Sequence, residues 1–507
     1  MATGKSEAVS AGRGVIYIAF AKIYFLVAGA AIEFGLARIV GAYLYGAYSV
    51  VAAWVSNINN VMVTGTIQAV SRQTTEAPER ADEVKAAGIR MHLVIGLPLA
   101  VVYSALAPVW ARLVHDPDKT GLFALSGGIV AAYAFYTVFI GSANGMRAFH
   151  KQAGLDITFA TLRAGGVLGA ALVGLGVWGA VGAWVAAAGA ILVIAAVWVG
   201  PPRSLRGGDV RPMATFLGGV ALYLILINLL MSVDQLLLKR LSTEWFLAHP
   251  DLVAAGKDAS DMADQQVGFY RAVQNLARLP YQLLIAATFV VFPLVSRATF
   301  EHDLDKTRRY VRTTLRYSLI FSALMGAVLA AKPTGLMLVP YGAEYAVGGP
   351  ALAVLALGNV AFAVFTIAGT ILNSAGRTRD AVTVAFVTLA SSTVALWIGI
   401  PRAVPGETML LTCGAATAAA MAVGALASGW LLVRRFGAFV RPLTLVRVGL
   451  ATVAAIALGR VLPSAGKLVT LAEAAACAAA FVVVLVATGE LGRADVAAIR
   501  GGLRRES

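Results

Sequence analysis

Residues 212–241 read PMATFLGGVALYLILINLLMSVDQLLLKRL, and this run decides the fold. Its first 20 residues, 212–231, are apolar enough to cross a membrane, because a spanning helix needs about 20 predominantly apolar residues. Its second half places Asp234, Gln235, Lys239 and Arg240 within seven residues. An ionisable residue inside a membrane segment is costly, so this helix end is a candidate functional site.

The composition of the whole chain indicates a membrane protein with many spans. Its 507 residues are 59% hydrophobic and 13% charged, with a mean hydropathy of +0.79. A soluble domain averages about 25% charged residues. The apolar runs are predicted to be helices, because a segment in lipid must satisfy its own backbone hydrogen bonds. Cys413 and Cys477 both lie in apolar runs, so no disulfide framework is predicted.

Fourteen membrane spans are predicted from these runs. They are residues 14–36, 45–69, 87–107, 121–143, 156–176, 179–199, 213–240, 266–296, 312–332, 346–372, 380–400, 408–433, 444–463 and 467–489. The segments on the side of the two termini hold roughly 23 Lys and Arg residues, against about eight on the other side. Positive loops stay inside, so both termini are predicted to be cytoplasmic. The net charge of +15 is assigned to these loops and not to a nucleic-acid partner.

An internal repeat relates the two halves of the chain. GAY at residues 46–48 of span 2 corresponds to GFY at 268–270 of span 8, and SR at 71–72 corresponds to SR at 296–297. The offset is six spans, and because six is even the two halves have the same orientation. The predicted fold is therefore all-α and polytopic, with two pseudo-symmetric six-helix lobes and two C-terminal helices. The predicted domains are 1–205 for spans 1–6, 206–435 for spans 7–12, and 436–507 for spans 13–14 and the tail.

Polar residues recur at helical spacing in several spans and are predicted to line a substrate path between the lobes. Residues spaced in this way share one face of a helix, at about 100° per residue. The predicted path residues on spans 2, 7 and 8 are Asn57, Asn60, Gln68, Gln235, Lys239, Arg271, Gln274, Asn275, Arg278 and Gln282. The alternative is that such groups only hydrogen-bond helices to one another, without any transport role.

Isolated charges add to the predicted path. Lys22 in span 1 and Arg163 in span 5 join Arg271 and Arg278 in giving it a positive field, so an anionic cargo is predicted. Arginine suits phosphate because its planar fork bonds two oxygens at once. For Lys22 the alternative is that its ammonium reaches out to the membrane interface.

Two acids, Glu33 and Asp234, are predicted to have structural or coupling roles. Glu33 would pair with Arg38 or Arg163. Asp234 points away from the polar stripe of span 7, so it would pair within its own lobe, with Arg271 or Arg278.

Span 8 contains Pro280 and Pro293, which remove helical hydrogen bonds and predict a bent helix, either gating or statically kinked. The sequence has no Walker lysine loop, no histidines at metal-ligand spacing and no catalytic constellation. We therefore predict a protein without a cofactor, a metal site or an enzymatic activity.

The stretches at 34–51, 231–241 and 267–284 resemble polysaccharide flippases of the multidrug/oligosaccharidyl-lipid/polysaccharide exporter superfamily, and the resemblance covers about residues 14–490. They read FGLARIVGAYLYGAYSVV, MSVDQLLLKRL and VGFYRAVQNLARLPYQLL. The resemblance implies alternating access and an undecaprenyl-diphosphate-linked oligosaccharide, such as an O-antigen or capsule repeat unit, moved across the bacterial inner membrane for polysaccharide or lipopolysaccharide synthesis. It implies membrane lipids, a polysaccharide polymerase and chain-length machinery as partners. Loop 242–266 is longer than the family's usual link, and its role stays open.

Three other functions are weighed against this one. A multidrug or cation antiporter of the same superfamily would need intramembrane carboxylates, and only Glu33 and Asp234 are available. A lipid II-type flippase would be expected to have more arginine in its first lobe than Lys22 and Arg163 provide. A membrane-embedded glycosyltransferase or polymerase would need clustered catalytic acids or histidines on a large outer loop. Loop 242–266 has acids but no histidine besides His249 and no supporting arginine cluster.

Overall fold

The computed structural model describes residues 2–282, 284, 304–463, 466–492 and 495, and every extended regular element in them is helical. The chain forms two compact units, Met1–Gly268 and Phe269–Ser507. Eleven helices among the described residues are long and apolar enough to cross a membrane, or twelve with the bent helix Arg211–Leu230. The prediction of an all-helical, multi-pass membrane protein is confirmed for this part of the chain.

The first unit contains ten helices. They are α1 Ala2–Glu76, α2 Ala81–Val94, α3 Gly96–Ala105, α4 Ala107–Leu113, α5 Thr120–Gly145, α6 Phe149–Leu172, α7 Gly176–Val199, α8 Arg211–Leu230, α9 Val233–Ala248 and α10 Ala259–Ala277, the last of which continues into the second unit. Helices α1, α5, α6 and α7 pack on one another. Small residues allow this, since a Cβ at Gly141 of α5 would lie only 2.8 Å from Cβ of Val70 on α1.

The described helices that follow belong to the second unit. They are α11 Leu304–Ala331, α12 Pro333–Leu338, α13 Gly349–Ser374, α14 Thr378–Gly399, α15 Glu407–Phe436, α16 Pro442–Val461 and α17 Gly466–Ala487. Helix α13 packs against α15 and α11, and here too a glycine permits close approach, because a Cβ at Gly358 would lie 2.5 Å from Cβ of Ala418.

The predicted spans agree with these helices at most positions. Spans 9 to 14 correspond to α11 and α13–α17, with ends that differ by a few residues except at the start of span 9. Helix α1 covers spans 1 and 2, and its one non-helical residue, Gly41 with φ 72° and ψ 172°, lies between them. Span 8 lies partly outside the described residues. The count of fourteen spans, the two-lobe arrangement and the domain boundaries therefore stay predictions.

Predicted span 7 is not one continuous helix, and in this the sequence prediction was wrong. Helix α8 ends at Leu230 and α9 begins at Val233. The hydroxyl of Ser232 bonds back to the carbonyl of Asn228 at 3.0 Å, a pattern that bends helices. The carboxylate of Asp234 accepts the backbone N–H of Gln235 at 2.9 Å, which satisfies a donor that the break leaves free. Apolar residues stand on both sides of the break, so the apolar pattern alone does not reveal it.

Candidate functional site

Helix α1 is joined to α8 and α9 by a ladder of polar side chains inside the first unit. The ladder bonds are Asn60 Nδ2 to Asn228 Oδ1 at 2.8 Å, Asn57 Nδ2 to Ser232 Oγ at 2.9 Å, and Gln235 Nε2 to Ser49 Oγ at 2.9 Å. The residue numbers of the three bonds decrease along α1 and increase along α8 and α9, so α1 runs antiparallel to these two helices. The predicted stripes of spans 2 and 7 are thus hydrogen-bonded to each other in this conformation.

Bonds of this kind are individually weak. Interhelical side-chain hydrogen bonds in membranes contribute about 0.6 kcal/mol on average and up to roughly 2 kcal/mol. Three such bonds hold two helices together but leave the pairing reversible.

Four charged side chains form a closed cluster beside the ladder, and we call them the charge cluster. Its ion pairs are Lys239 Nζ to Asp264 Oδ1 at 2.8 Å, Lys239 Nζ to Asp116 Oδ2 at 3.0 Å, Lys119 Nζ to Asp264 Oδ2 at 2.5 Å, and a further short contact between Lys119 and Asp116. The Lys239 side chain is 0% exposed. Two cations face two anions, so the buried group is electrically balanced.

Hydrogen bonds complete the cluster. Lys239 Nζ donates to the hydroxyl of Ser260 at 2.6 Å and to its carbonyl at 2.8 Å, and that hydroxyl donates to Asp116. Burial raises the pKa of Asp116, but the charges of Lys239 and Lys119 outweigh it and lower the pKa to about 2. Asp116 therefore stays ionised at neutral pH.

The charge cluster ties together three parts of the chain that are distant in sequence. Asp116 lies between α4 and α5, Lys239 lies on α9, and Asp264 lies on α10. Lys239 was expected to face the path as part of a stripe, and the structure instead places it inside this cluster. The sequence analysis missed Asp116, Lys119 and Asp264. The one available signal was that Asp116 and Lys119 lie three residues apart in the short connection between predicted spans 3 and 4.

Backbones approach closely beside the charge cluster, where α1 passes α10. A Cβ at Gly46 would lie 1.8 Å from the carbonyl oxygen of Asp264. Any side chain larger than hydrogen at this position would separate the two helices. Gly46 therefore permits the approach that brings Asp264 to the cluster.

At the other end of the ladder, residues of α1 and α8 line a cavity of about 540 Å³. Its polar lining consists of Arg72, Gln73, Glu76, Arg211 and Thr215. Arg72 and Glu76 form an ion pair at 2.9 Å. Met213 of α8 is fully buried in one apolar cluster with Ala69 and Val70 of α1, so the two helices also pack together beside this cavity.

The remaining predicted residues of the first unit lie apart from the ladder. Lys22 pairs with Asp156 at 2.8 Å, so an acid balances its charge. Arg163 stacks on Trp184 at 3.9 Å from the ring centroid. Glu33 accepts a hydrogen bond from Tyr45 at 2.5 Å, and Gln68 is exposed.

The predicted path residues of the second unit all lie on one short helical stretch, residues 271–282. Arg271 and Arg278 are half-buried, Gln274 is buried, and Gln282 is exposed. Asn275 Nδ2 donates to the hydroxyl of Tyr341 at 3.2 Å.

The bend predicted in span 8 is partly described. The helix is interrupted at Arg278, shortly before Pro280, and Pro293 lies outside the described residues. Among the described residues, no three His, Cys, Asp or Glu side chains gather as a metal site would require.

The chain matches one protein-family model and two curated relatives. The sequence model described as "Polysaccharide biosynthesis protein" matches residues 11–299. The uncharacterized protein Rv1510 of Mycobacterium tuberculosis is 26% identical over 288 residues, which are 55% of this chain and 61% of Rv1510. A protein from a second strain, MT1558/MT1560, matches equally. The match thus spans less than two thirds of these relatives.

Solved structures share the fold at low sequence identity. The lipid II flippase MurJ in its inward closed conformation has a TM-score of 0.69 and 11% identity, over 93% of this chain and 98% of MurJ. An inward-facing multidrug resistance transporter of the MATE family has a TM-score of 0.61 and 15% identity, over 83% of this chain and 98% of that one. A transporter of the same superfamily from Pyrococcus furiosus has a TM-score of 0.58 and 14% identity, over 85% and 95%. At these identities the likeness shows the fold alone.

Proposed function

We propose that this chain, which belongs to the polysaccharide biosynthesis protein family, flips an undecaprenyl-diphosphate-linked oligosaccharide across the bacterial inner membrane. The movement occurs by alternating access, and its product feeds surface polysaccharide or lipopolysaccharide synthesis. The family match and the transporter fold support a flippase-like carrier, and the proposal adds the cargo, the membrane and the direction.

One observation carries the proposal: the ladder joins α1 to α8 and α9, and a cavity with a polar lining lies between α1 and α8 beyond the other end of the ladder. Alternating access requires two conformations in which opposite ends of a path open. The ladder lies around the break between α8 and α9, the charge cluster follows it on α9, and the cavity lies at the start of α8, on the side predicted for the termini. With both termini cytoplasmic, this conformation is closed outside and accepts cargo from the cytoplasmic leaflet.

The cargo is assigned from charge. Arg72 and Arg211 line the cavity mouth, and Arg271 and Arg278 are the basic groups predicted for the path. A diphosphate matches these guanidinium groups, because each can bond two phosphate oxygens. The ladder amides Asn57 and Asn60, once freed from their partners, supply the neutral donors and acceptors that a sugar needs. We assign polysaccharide polymerase and chain-length machinery as partners on the product side.

A lipid II-type cargo carries the same diphosphate lipid and is the second candidate, because MurJ shares this fold. The two cargoes differ in the saccharide. The experiment below separates them, since peptidoglycan precursors and surface repeat units are distinct lipid-linked species.

Depletion of the protein in its native host tests the function. Lipid-linked repeat units should accumulate on the cytoplasmic leaflet while surface polysaccharide falls, and re-expression of the wild-type chain should reverse both. Accumulation of lipid II would transfer the assignment to peptidoglycan synthesis. Sensitivity to drugs with unchanged lipid-linked saccharides would contradict the flippase and favour an antiporter.

A further inference from the structure

The second unit contains a basic pocket, none of whose residues belongs to the ladder, the charge cluster or the cavity between α1 and α8. It has a volume of about 440 Å³. It is formed by the start of α11 and by the connection from α15 to α16, which are more than 100 residues apart in sequence. Its charged lining residues are Arg308, Arg309, Arg312, Arg441 and Asp305. Four guanidinium groups thus face one carboxylate.

The backbone around this pocket is fixed by its own contacts. Helix α15 ends at Phe436, and Gly437 follows with φ 63°, a left-handed conformation that glycine adopts without strain. Arg308 Nε donates to the carbonyl of Phe436 at 2.9 Å, and Arg312 donates to the carbonyl of Gly437 at 3.3 Å. Buried Val440 anchors the connection just before Arg441. Two arginines therefore shape the pocket wall with part of their donor capacity.

The other two arginines have their donors available. Among the described residues, the side chains of Arg309 and Arg441 make no hydrogen bond or ion pair, and both are exposed. Each guanidinium carries five N–H donors. Arg441 also stands directly before the N-terminus of α16, where backbone N–H groups and the helix dipole favour an anion. The pocket is built to receive a group with several negatively charged oxygens.

An apolar surface continues from the pocket along α16. Leu443, Val446, Leu450 and Val453 are each more than half exposed, and their spacing of three and four residues places them on one helix face. They extend over about 15 Å at 1.5 Å per residue. This is about half of the roughly 30 Å hydrocarbon thickness of a bilayer, that is, one leaflet. A free phosphate would use the arginines alone, whereas a lipid would use both surfaces.

We propose that this pocket binds the phosphate headgroup of an anionic diacyl phospholipid, with an acyl chain lying along the exposed face of α16. Basic pockets between membrane helices on the cytoplasmic side are suited to such headgroups. The site is separate from the proposed cargo path and holds a lipid that is not transported.

The binding of lipid to purified, delipidated protein in detergent tests this site. Phosphatidylglycerol and phosphatidylcholine are titrated separately, and bound lipid is counted by native mass spectrometry. Wild-type protein should prefer phosphatidylglycerol. Arg309→Gln with Arg441→Gln should bind it roughly thirtyfold more weakly, equivalent to about 2 kcal/mol, with phosphatidylcholine binding unchanged.

A matched control removes the same charge elsewhere on the predicted cytoplasmic side. Arg377→Gln with Arg379→Gln deletes two exposed arginines beside α14, and it should bind phosphatidylglycerol as the wild type does. Equal loss in both double variants would overturn the site, because general surface charge would then explain the binding. A wild-type affinity in Arg309→Gln with Arg441→Gln would also overturn it.

Two further titrations identify the ligand. Inorganic phosphate should not displace phosphatidylglycerol at equal concentration, and complete displacement would overturn the lipid assignment. Undecaprenyl diphosphate that bound this pocket more tightly than phosphatidylglycerol would show a cargo site instead and would also overturn it. These binding results do not depend on flippase activity. The lipid site can therefore be disproved while the proposed function stands, and the proposed function can be disproved while the lipid site stands.

Discussion

Gly46 and Gly268 lie against each other's helices in a reciprocal arrangement. A Cβ at Gly46 would lie 1.8 Å from the carbonyl of Asp264, four residues before Gly268, and a Cβ at Gly268 would lie 1.9 Å from the carbonyl of Ala42, four residues before Gly46. The two glycines are also the corresponding residues of the predicted repeat. Residues that match in sequence therefore meet in the fold, at the side of the charge cluster.

Replacing Gly46 by alanine should separate α1 from α10 and make the ladder accessible from the outside. Overpacking a tight contact costs about 1–3 kcal/mol, and here the obstacle is backbone that cannot rotate away. The reporter is Ser232→Cys in a Cys413→Ala, Cys477→Ala background, labelled from outside with an impermeant maleimide. Labelling should be low without the alanine and several-fold higher with it.

Gly29→Ala is the matched control for that experiment. Gly29 is a glycine of the same helix with nothing within 4 Å of its would-be Cβ. It should leave labelling low. Equal labelling in Gly46→Ala and Gly29→Ala would contradict the role of the crossing.

Removing one lysine from the charge cluster should destabilise the protein strongly. Lys239→Met leaves two buried carboxylates facing Lys119 alone, and breaking a buried pair on one side costs about 3–5 kcal/mol. Lys239→Met with Asp264→Asn restores the charge balance. Thermal unfolding should show a large loss in the single variant and a smaller loss in the double variant. Losses that simply add would contradict a coupled cluster.

Mild acid should not change the accessibility of the ladder from the outside. The pKa of Asp116 is lowered to about 2, so its contribution to stability is present above the ordinary value of about 3.8 and is lost as pH falls from there through about 2. A maleimide reacts with the thiolate, so labelling is expressed relative to that of the exposed Asp251→Cys at the same pH. The relative labelling of Ser232→Cys should therefore be the same at pH 8 and pH 5. An increase at pH 5 in the wild-type cluster that disappears in Asp116→Asn would contradict this.

The paired variant Arg271→Ala with Arg278→Ala should abolish surface polysaccharide while leaving the amount of protein in the membrane unchanged. Both arginines are half-buried on the stretch predicted to line the path, where a diphosphate needs cationic partners. Arg377→Ala with Arg379→Ala removes equal charge outside that stretch and should have no effect. Normal polysaccharide from the first variant would exclude these residues from the path.

Much of the fold follows from hydropathy, and the site does not. The ends of α13 to α17 were predicted to within a few residues, because an apolar run must end where the bilayer ends. The break before Val233 was missed, since apolar residues continue on both sides of it. A hydroxyl bond across the turn and a carboxylate at the new helix start decide it, and both depend on the fold.

The polar residues illustrate the same limit. Helical spacing predicted that Asn57, Asn60 and Gln235 share a path-facing surface, and the structure brings them to one ladder. Spacing could not supply their partners, because a partner lies on another helix more than 160 residues away. Asp264, which pairs with Lys239, lies within the predicted loop 242–266, although α10 already begins at Ala259. An ion pair between residues that are distant in sequence leaves no periodic pattern in the sequence, so it cannot be predicted from spacing.

Cross-linking the ladder measures the central claim most directly. Asn60→Cys with Asn228→Cys in the cysteine-free background puts two thiols in place of the innermost ladder bond, whose amide tips lie 2.8 Å apart. A short bifunctional methanethiosulfonate joins the two thiols through disulfides, because their Cβ atoms need not be within reach of a direct disulfide. The account predicts that cross-linked protein in proteoliposomes stops flipping lipid-linked oligosaccharide, that a reductant restores it, and that each single cysteine variant flips normally. Flipping at the normal rate with the cross-link intact would contradict the account, because the ladder would then not need to open.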